Sequence, residues 1–133
     1  MPRAKHVKVI EGIANSFSSG SLDQLDELLG PGVQNFKRDL ATLRVAFPDA
    51  LFKIEDLIGE GDKLVDRFTV TGTHKGPFVG ISPTGRRVAL PGISVVRIDG
   101  GKVVERWGIS DQLGLLQQLG ALPANLLRPR SGD

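Results

Sequence analysis

The stretch VERWGISDQLGLLQQLG, Val104 to Gly120, changes its period in the middle. Up to Ser110, the residues Val103, Glu105, Trp107 and Ile109 alternate with Val104, Arg106, Gly108 and Ser110 at the strand period of two. Beyond Asp111, Leu113, Leu116 and Leu119 recur at helical spacing, and Gly120 supplies a helix stop. A strand therefore runs straight into a closing helix, with Asp111 at the seam. A carboxylate there has two readings. It can cap the free N–H groups of the helix, or project from the strand end into whatever cavity the sheet encloses.

Working backwards, DGG at 99–101 is a hairpin turn joining this strand to RVALPGISVVRI. Before that come the Gly/Pro-rich loop KGPFVGISPTGR, the strand KLVDRFTVTGTH, the turn GEGD and the strand LFKIEDLI. The first third of the chain is helical. Val7, Ile10, Ala14 and Phe17 form one stripe, and Phe36, Leu40, Leu43 and Phe47 another that Pro48 stops. Between them, Ser21 and Gln24 have capping-box spacing at the head of a short helix, Leu22 to Leu29. Three helices, four hairpin-linked strands and a closing helix give an α+β domain: an antiparallel sheet with the helices on one face. One domain spans 1–133, its core about residues 4–122, with PANLLRPRSGD at 123–133 a loose tail.

Bulk chemistry excludes several classes. The 17 basic residues nearly balance 15 acidic ones, and no Lys/Arg run exceeds two, so the footprint of a nucleic-acid binder is missing. Without cysteine there is no disulfide, no thiolate metal site and no cysteine nucleophile. No segment is apolar enough for a signal peptide or a membrane span. A soluble cytoplasmic protein is the reading these features support. His6 and His74 share no spacing with a third ligand, so no metal site is expected, and His6, between Lys5 and Lys8, reads as solvated.

FPD at 47–49, GTHKGPF at 72–78, PTGRR at 83–87 and the ERW…D…LLQQLG run at 105–120, in this order, resemble the SnoaL-like polyketide cyclases. That family lies in the nuclear-transport-factor-2-like, or ketosteroid-isomerase-like, superfamily. The resemblance runs from about Phe36 to Leu122. It implies a cone-shaped α+β fold whose curved sheet and helices enclose an apolar pocket. It also implies closure of a polyketide ring by intramolecular aldol condensation, without metal or organic cofactor, with an aspartate as general acid/base. Asp111 matches that aspartate. The fold often dimerises through its sheet, so a homodimer or higher homo-oligomer is expected. One departure stands out: members carry a further strand-like segment where this chain has only GPGVQ, Gly30–Gln34. The cavity is then either open to solvent at that point or covered by a partner subunit.

Face arithmetic nominates the site. Trp107, Ile109 and Asp111 share one side of the last strand, and Trp107, the largest apolar group, is expected to face inward. Asp111 then faces an apolar pocket, where a desolvated carboxylate can move a proton between carbon and the oxygen of a neighbouring carbonyl. His74 shares a face with Phe68 and Val70 and either assists Asp111 across the cavity or, at the strand end, bonds loop backbone in KGPF. Phe68 and Val70 are expected as pocket walls, with Ile109, Phe17, Phe36 and Leu40 completing the lining. Asp66 falls on the same face as Phe68, where a charge needs a partner; an exposed or interface ion pair is its expected role. Arg106 is expected outward and Glu105 paired with Arg97 or Arg67.

Overall fold

A computed structural model describes residues 2–122; the tail expected over 123–133 lies outside the described residues. Helix α1 (Ala4–Ser19) is followed by a 3-10 turn and the short helix α2 (Leu25–Leu28), then by α3 (Gln34–Ala46). Strands β1 (Leu51–Glu60), β2 (Lys63–Thr73), β3 (Arg87–Asp99) and β4 (Lys102–Ser110) form one open antiparallel sheet in the order of the chain. Helix α4 (Gln112–Gln118) closes the fold. This is the expected α+β architecture.

Helix α1 buries His6, Val9, Ile10, Ile13 and Phe17. His6 falls in line with Ile10 and Ile13 at spacings of four and three, so the expectation of a solvated His6 is corrected. Gly20 ends the helix in the left-handed conformation, at φ 80°, and its N–H bonds back to Phe17 and Ser16. The capping box expected at Ser21 does not form. Gln24 Oε1 instead accepts a hydrogen bond from Ser16 Oγ at 3.1 Å, tying the turn to α1.

At the start of the GPGVQ stretch, Leu29 makes a single parallel bridge to Val103, and the Gly30 N–H donates to the Val103 carbonyl at 2.8 Å. One turn, Pro31–Val33, then leads into α3. Leu29 and Val103 are both fully buried, so this short link still seals the core beneath it.

Strand β2 alternates without interruption: Leu64, Asp66, Phe68 and Val70 face the helices, whereas Lys63 and Arg67 face away. Strand β4 does not. Its register with β3 runs Arg97–Glu105 and then Ile98–Val103, so Val104 is the extra residue of a bulge. The bulge exchanges the faces of the rest of the strand. Val103 is buried beneath the helices, but Trp107 and Ile109 emerge on the opposite face, 51% and 77% exposed. Trp107, Ile109 and Asp111 do share a side, as parity requires, but it is the outer one. The expected inward orientation of Trp107 and Ile109 is corrected, and so is the outward orientation of Arg106. Glu105 pairs with Arg97 on the outer face, as expected.

Candidate active site

Helix α3 crosses the inner face of the sheet and leaves a cavity of about 310 Å³ beneath it. The helix contributes Phe36, Leu40 and Leu43; the sheet contributes Phe52, Phe68, Val70 and Leu90. Phe52 and Phe68 stack with their centres 4.8 Å apart and form a flat aromatic floor. Asp39, Thr42, Val79 and Gln112 line the mouth and are all exposed, so the cavity opens to solvent between α3, the β2–β3 loop and the start of α4. Phe36, Leu40, Phe68 and Val70, expected in the lining, all border this cavity.

The polar groups are less expected. Arg106 and Ser110, both inward because of the bulge, line one wall. The Arg106 guanidinium lies 3.8 Å from the centre of the Phe36 ring. On its other side is Gly108, where an added Cβ would come within 2.5 Å of the guanidinium carbon. Burial pulls the guanidinium down from its ordinary value, opposed by the charges of Asp66 and Asp39. Behind Arg106, a void of about 10 Å³ reaches Asp66 and Ser94. Asp66 is 4% exposed and accepts a hydrogen bond from Ser94 Oγ at 2.6 Å. Burial pushes its carboxyl up, partly offset by that bond and by the Arg106 charge. The exposed ion pair expected for Asp66 is corrected: its partner is a neutral hydroxyl inside the core. Strand parity was the signal for both its face and its cost. Nothing in the sequence marked Ser94 or Arg106 as its neighbours.

Asp111 is the N-cap of α4. Its carboxylate accepts the Gly114 N–H at 2.9 Å, and the side chain lies outside the cavity, in a shallow groove of about 480 Å³ on the outer face. Ile93, Ile109, Pro91 and Arg67 share that groove. Ser110 and Phe68 touch both the groove and the cavity.

His74 is fully buried at the end of β2, away from the cavity wall. Its Nδ1 accepts the Thr84 N–H at 3.1 Å and lies 3.0 Å from Thr84 Oγ1. Because Nδ1 is an acceptor, the proton of the neutral ring sits on Nε2, which is buried without a hydrogen-bond partner among the described residues. Phe47 packs against both the imidazole and Phe78, and Phe78 lines the cavity. The geometry makes His74 an anchor for the loop between β2 and β3, bonded to Thr84 and not to the KGPF backbone. Phe17, expected in the lining, is fully buried in the core; it supports the cavity from behind, its ring edge-on to Phe52 at 6.1 Å. Among the described residues, no group of three or more His, Asp or Glu side chains comes together as a metal site.

A model of the SnoaL-like polyketide cyclases matches residues 8–119. Aklanonic acid methyl ester cyclase DnrD from Streptomyces peucetius is 32% identical over 103 residues, which cover 76% of this chain and 69% of that protein. Nogalonic acid methyl ester cyclase from Streptomyces nogalater is 28% identical over 123 residues, 81% of this chain and 92% of that one. The structure of TsrD from Streptomyces laurentii superposes with a TM-score of 0.83 at 29% identity, covering 92% of this chain and 99% of that one. By sequence and by fold, the chain belongs to the SnoaL-like polyketide cyclase family.

Proposed function

We propose that the protein is a cytoplasmic, cofactor-free cyclase or isomerase that holds a flat, apolar, carbonyl-bearing molecule beneath α3. The observation that carries this reading is the cavity itself: a stacked Phe52–Phe68 floor faces a wall with two polar groups, Arg106 and Ser110. An apolar slot with a few convergent donors is what a carbonyl compound needs to bind and to develop negative charge on oxygen. Two relatives named as methyl ester cyclases support the substrate class. Asp111 remains the acid/base nominated by the family motif. To reach a substrate in the cavity, its carboxylate has to leave the Gly114 N–H and pass Ser110.

The test is turnover of aklanonic or nogalonic acid methyl ester. The expected result is ring closure by wild type and a loss of about 10²-fold or more in Asp111→Asn, the usual scale of general acid–base catalysis. Undiminished turnover in that variant removes Asp111 from the chemistry. The capping of α4 by Asp111 favours a second reading, a ligand-binding module without catalysis. It predicts saturable binding of the same esters with no product.

The outer face is proposed to receive a second copy of the chain. Ile58, Val65, Val95 and Trp107 are register partners in one row across all four strands, and Ile93 and Ile109 lie in the next. An exposed apolar stripe of this length marks an interaction surface. Sedimentation is expected to show a dimer that Trp107→Glu dissociates; a monomeric wild type contradicts this.

A further inference from the structure

The loop between β2 and β3 holds its tip at the cavity mouth in a conformation that its sequence does not favour. The base of the loop is fixed on both sides. The Lys75 and Gly76 N–H groups both donate to the Ala46 carbonyl at 3.0 Å, and Gly76 lies so close to the Val45 carbonyl that no Cβ fits there. On the other side, the Thr84 N–H donates to His74 Nδ1 at 3.1 Å and the Gly85 N–H to the His74 carbonyl at 2.8 Å. Between these fixed points, Phe78 and Ile81 exchange both backbone hydrogen bonds around a two-residue turn, Val79 and Gly80. Positive φ at both turn positions suits Asn-Gly or Gly-Gly. Here φ is 81° at Gly80 and 41° at Val79, and among the described residues Val79 is the single non-glycine with a positive φ. A β-branched residue is strained there. Nor does Val79 gain from packing: it is 70% exposed, an apolar side chain on the rim of an apolar cavity. Strain retained where the free protein draws no benefit from it points to a function at that position.

We propose that Val79 is a ligand-contacting residue: the turn presents its isopropyl group at the cavity mouth, where it covers the outer edge of an apolar molecule lying on the Phe52–Phe68 floor. This rests on the cavity reading above and adds the residue that completes the pocket on its solvent side. The exposed valine surface leaves water only when the cavity is filled, so its burial contributes to ligand binding and not to folding. Asparagine adopts the left-handed conformation readily and would relax the turn, but it puts an amide where the ligand needs an apolar contact. Stability and binding are therefore opposed at this one position.

The experiment pairs thermal denaturation of the ligand-free protein with calorimetric titration of methyl 2-naphthoate, a flat neutral ester. Val79→Asn is expected to raise Tm by about 2–4 °C, the relief of one strained residue in a domain of this size. The same variant is expected to bind the ester about tenfold more weakly, the scale of one partly buried aliphatic side chain. Val79→Leu keeps an apolar side chain on the same turn and is expected to bind the ester as wild type does. Unchanged binding in Val79→Asn, or equal weakening in Val79→Leu, overturns the contact and leaves the cavity reading standing. A Tm that fails to rise in Val79→Asn overturns it as well, since the valine would then be serving the fold. Failure of the ester to bind wild type overturns the cavity reading and this inference with it.

Discussion

The two faces of the sheet are built from the same four strands and are both rich in apolar side chains, yet they are used differently. On the inner face, Leu64, Phe68, Val70, Leu90 and Val96 are at most 5% exposed, covered by helices or turned into the cavity. On the outer face, Ile58, Ile93, Trp107 and Ile109 remain between 48% and 77% exposed. The inner face has met its demand for burial within one chain except at the cavity; the outer face has not. The same partition separates the titratable groups. Asp66 and Arg106 are inside and desolvated, whereas Asp111, Glu105 and Arg97 are outside, in a cap and an ion pair. Inner-face groups are thus suited to bind or polarise a small molecule, and outer-face groups to stabilise the fold and to meet a partner.

The largest effect that could break this comparison is on stability. The Phe68 ring packs so closely on Gly92 that an added Cβ there would fall inside its contact distance. Phe68→Ala is expected to cost about 3–5 kcal/mol, counting both lost burial and the void left behind. Ile109→Ala, on the outer face, is expected to stay within about 0.5 kcal/mol in the monomer. Chemical denaturation of the two variants, each held monomeric, measures the contrast. Similar losses would mean that the two faces are not distinct in the folded monomer.

A smaller effect sharpens the electrostatic half. The Asp66 carboxyl is raised by burial, so between its ordinary and its raised value the native state holds a proton that the unfolded chain has released. Stability contributed by this group therefore falls as pH rises through that window and is level above it. The slope is at most about 1.4 kcal/mol per pH unit, the limit for one proton. Asp66→Asn is expected to remove this component in a pH series of denaturation midpoints; an unchanged series would show that Asp66 ionises as freely as in water.

The smallest effect concerns the cap. Asp111→Ala is expected to cost about 1 kcal/mol, the usual worth of an N-cap side chain, and Asp111→Asn or Asp111→Ser nearly nothing, because each still offers an acceptor to the Gly114 N–H. A stability unchanged even by alanine would remove the structural role and leave the chemical one as the reason for the residue.

Much of this arrangement was legible in the sequence, in physical terms. Change of period at Asp111 marked the strand-to-helix seam, and unbroken alternation from Leu64 to Val70 placed Phe68, Val70 and Asp66 on the face that the structure buries. The stripe Phe36–Leu40–Leu43 likewise turned out to be the roof of the cavity. What alternation could not show was the bulge at Val104. Val103 and Val104 are both good strand residues, and which of them pairs is decided by the register with β3, a contact between distant segments. That one residue sent Trp107, Ile109 and Asp111 outward and brought Arg106 and Ser110 into the cavity. The role of His74 was hidden for a similar reason. Thr84, ten residues along, reaches it only after the β2–β3 loop folds back.

The most direct test of the central claim, that ligands enter the inner cavity and not the outer groove, is amide chemical-shift mapping with methyl 2-naphthoate, a probe that either apolar surface can accept. The account predicts shifts concentrated at Leu40, Leu43, Val70, Arg106 and Ser110, around the stacked phenylalanines. Shifts centred on Ile93, Ile109 and Asp111 would contradict it, since they would place the ligand on the face assigned to a partner subunit.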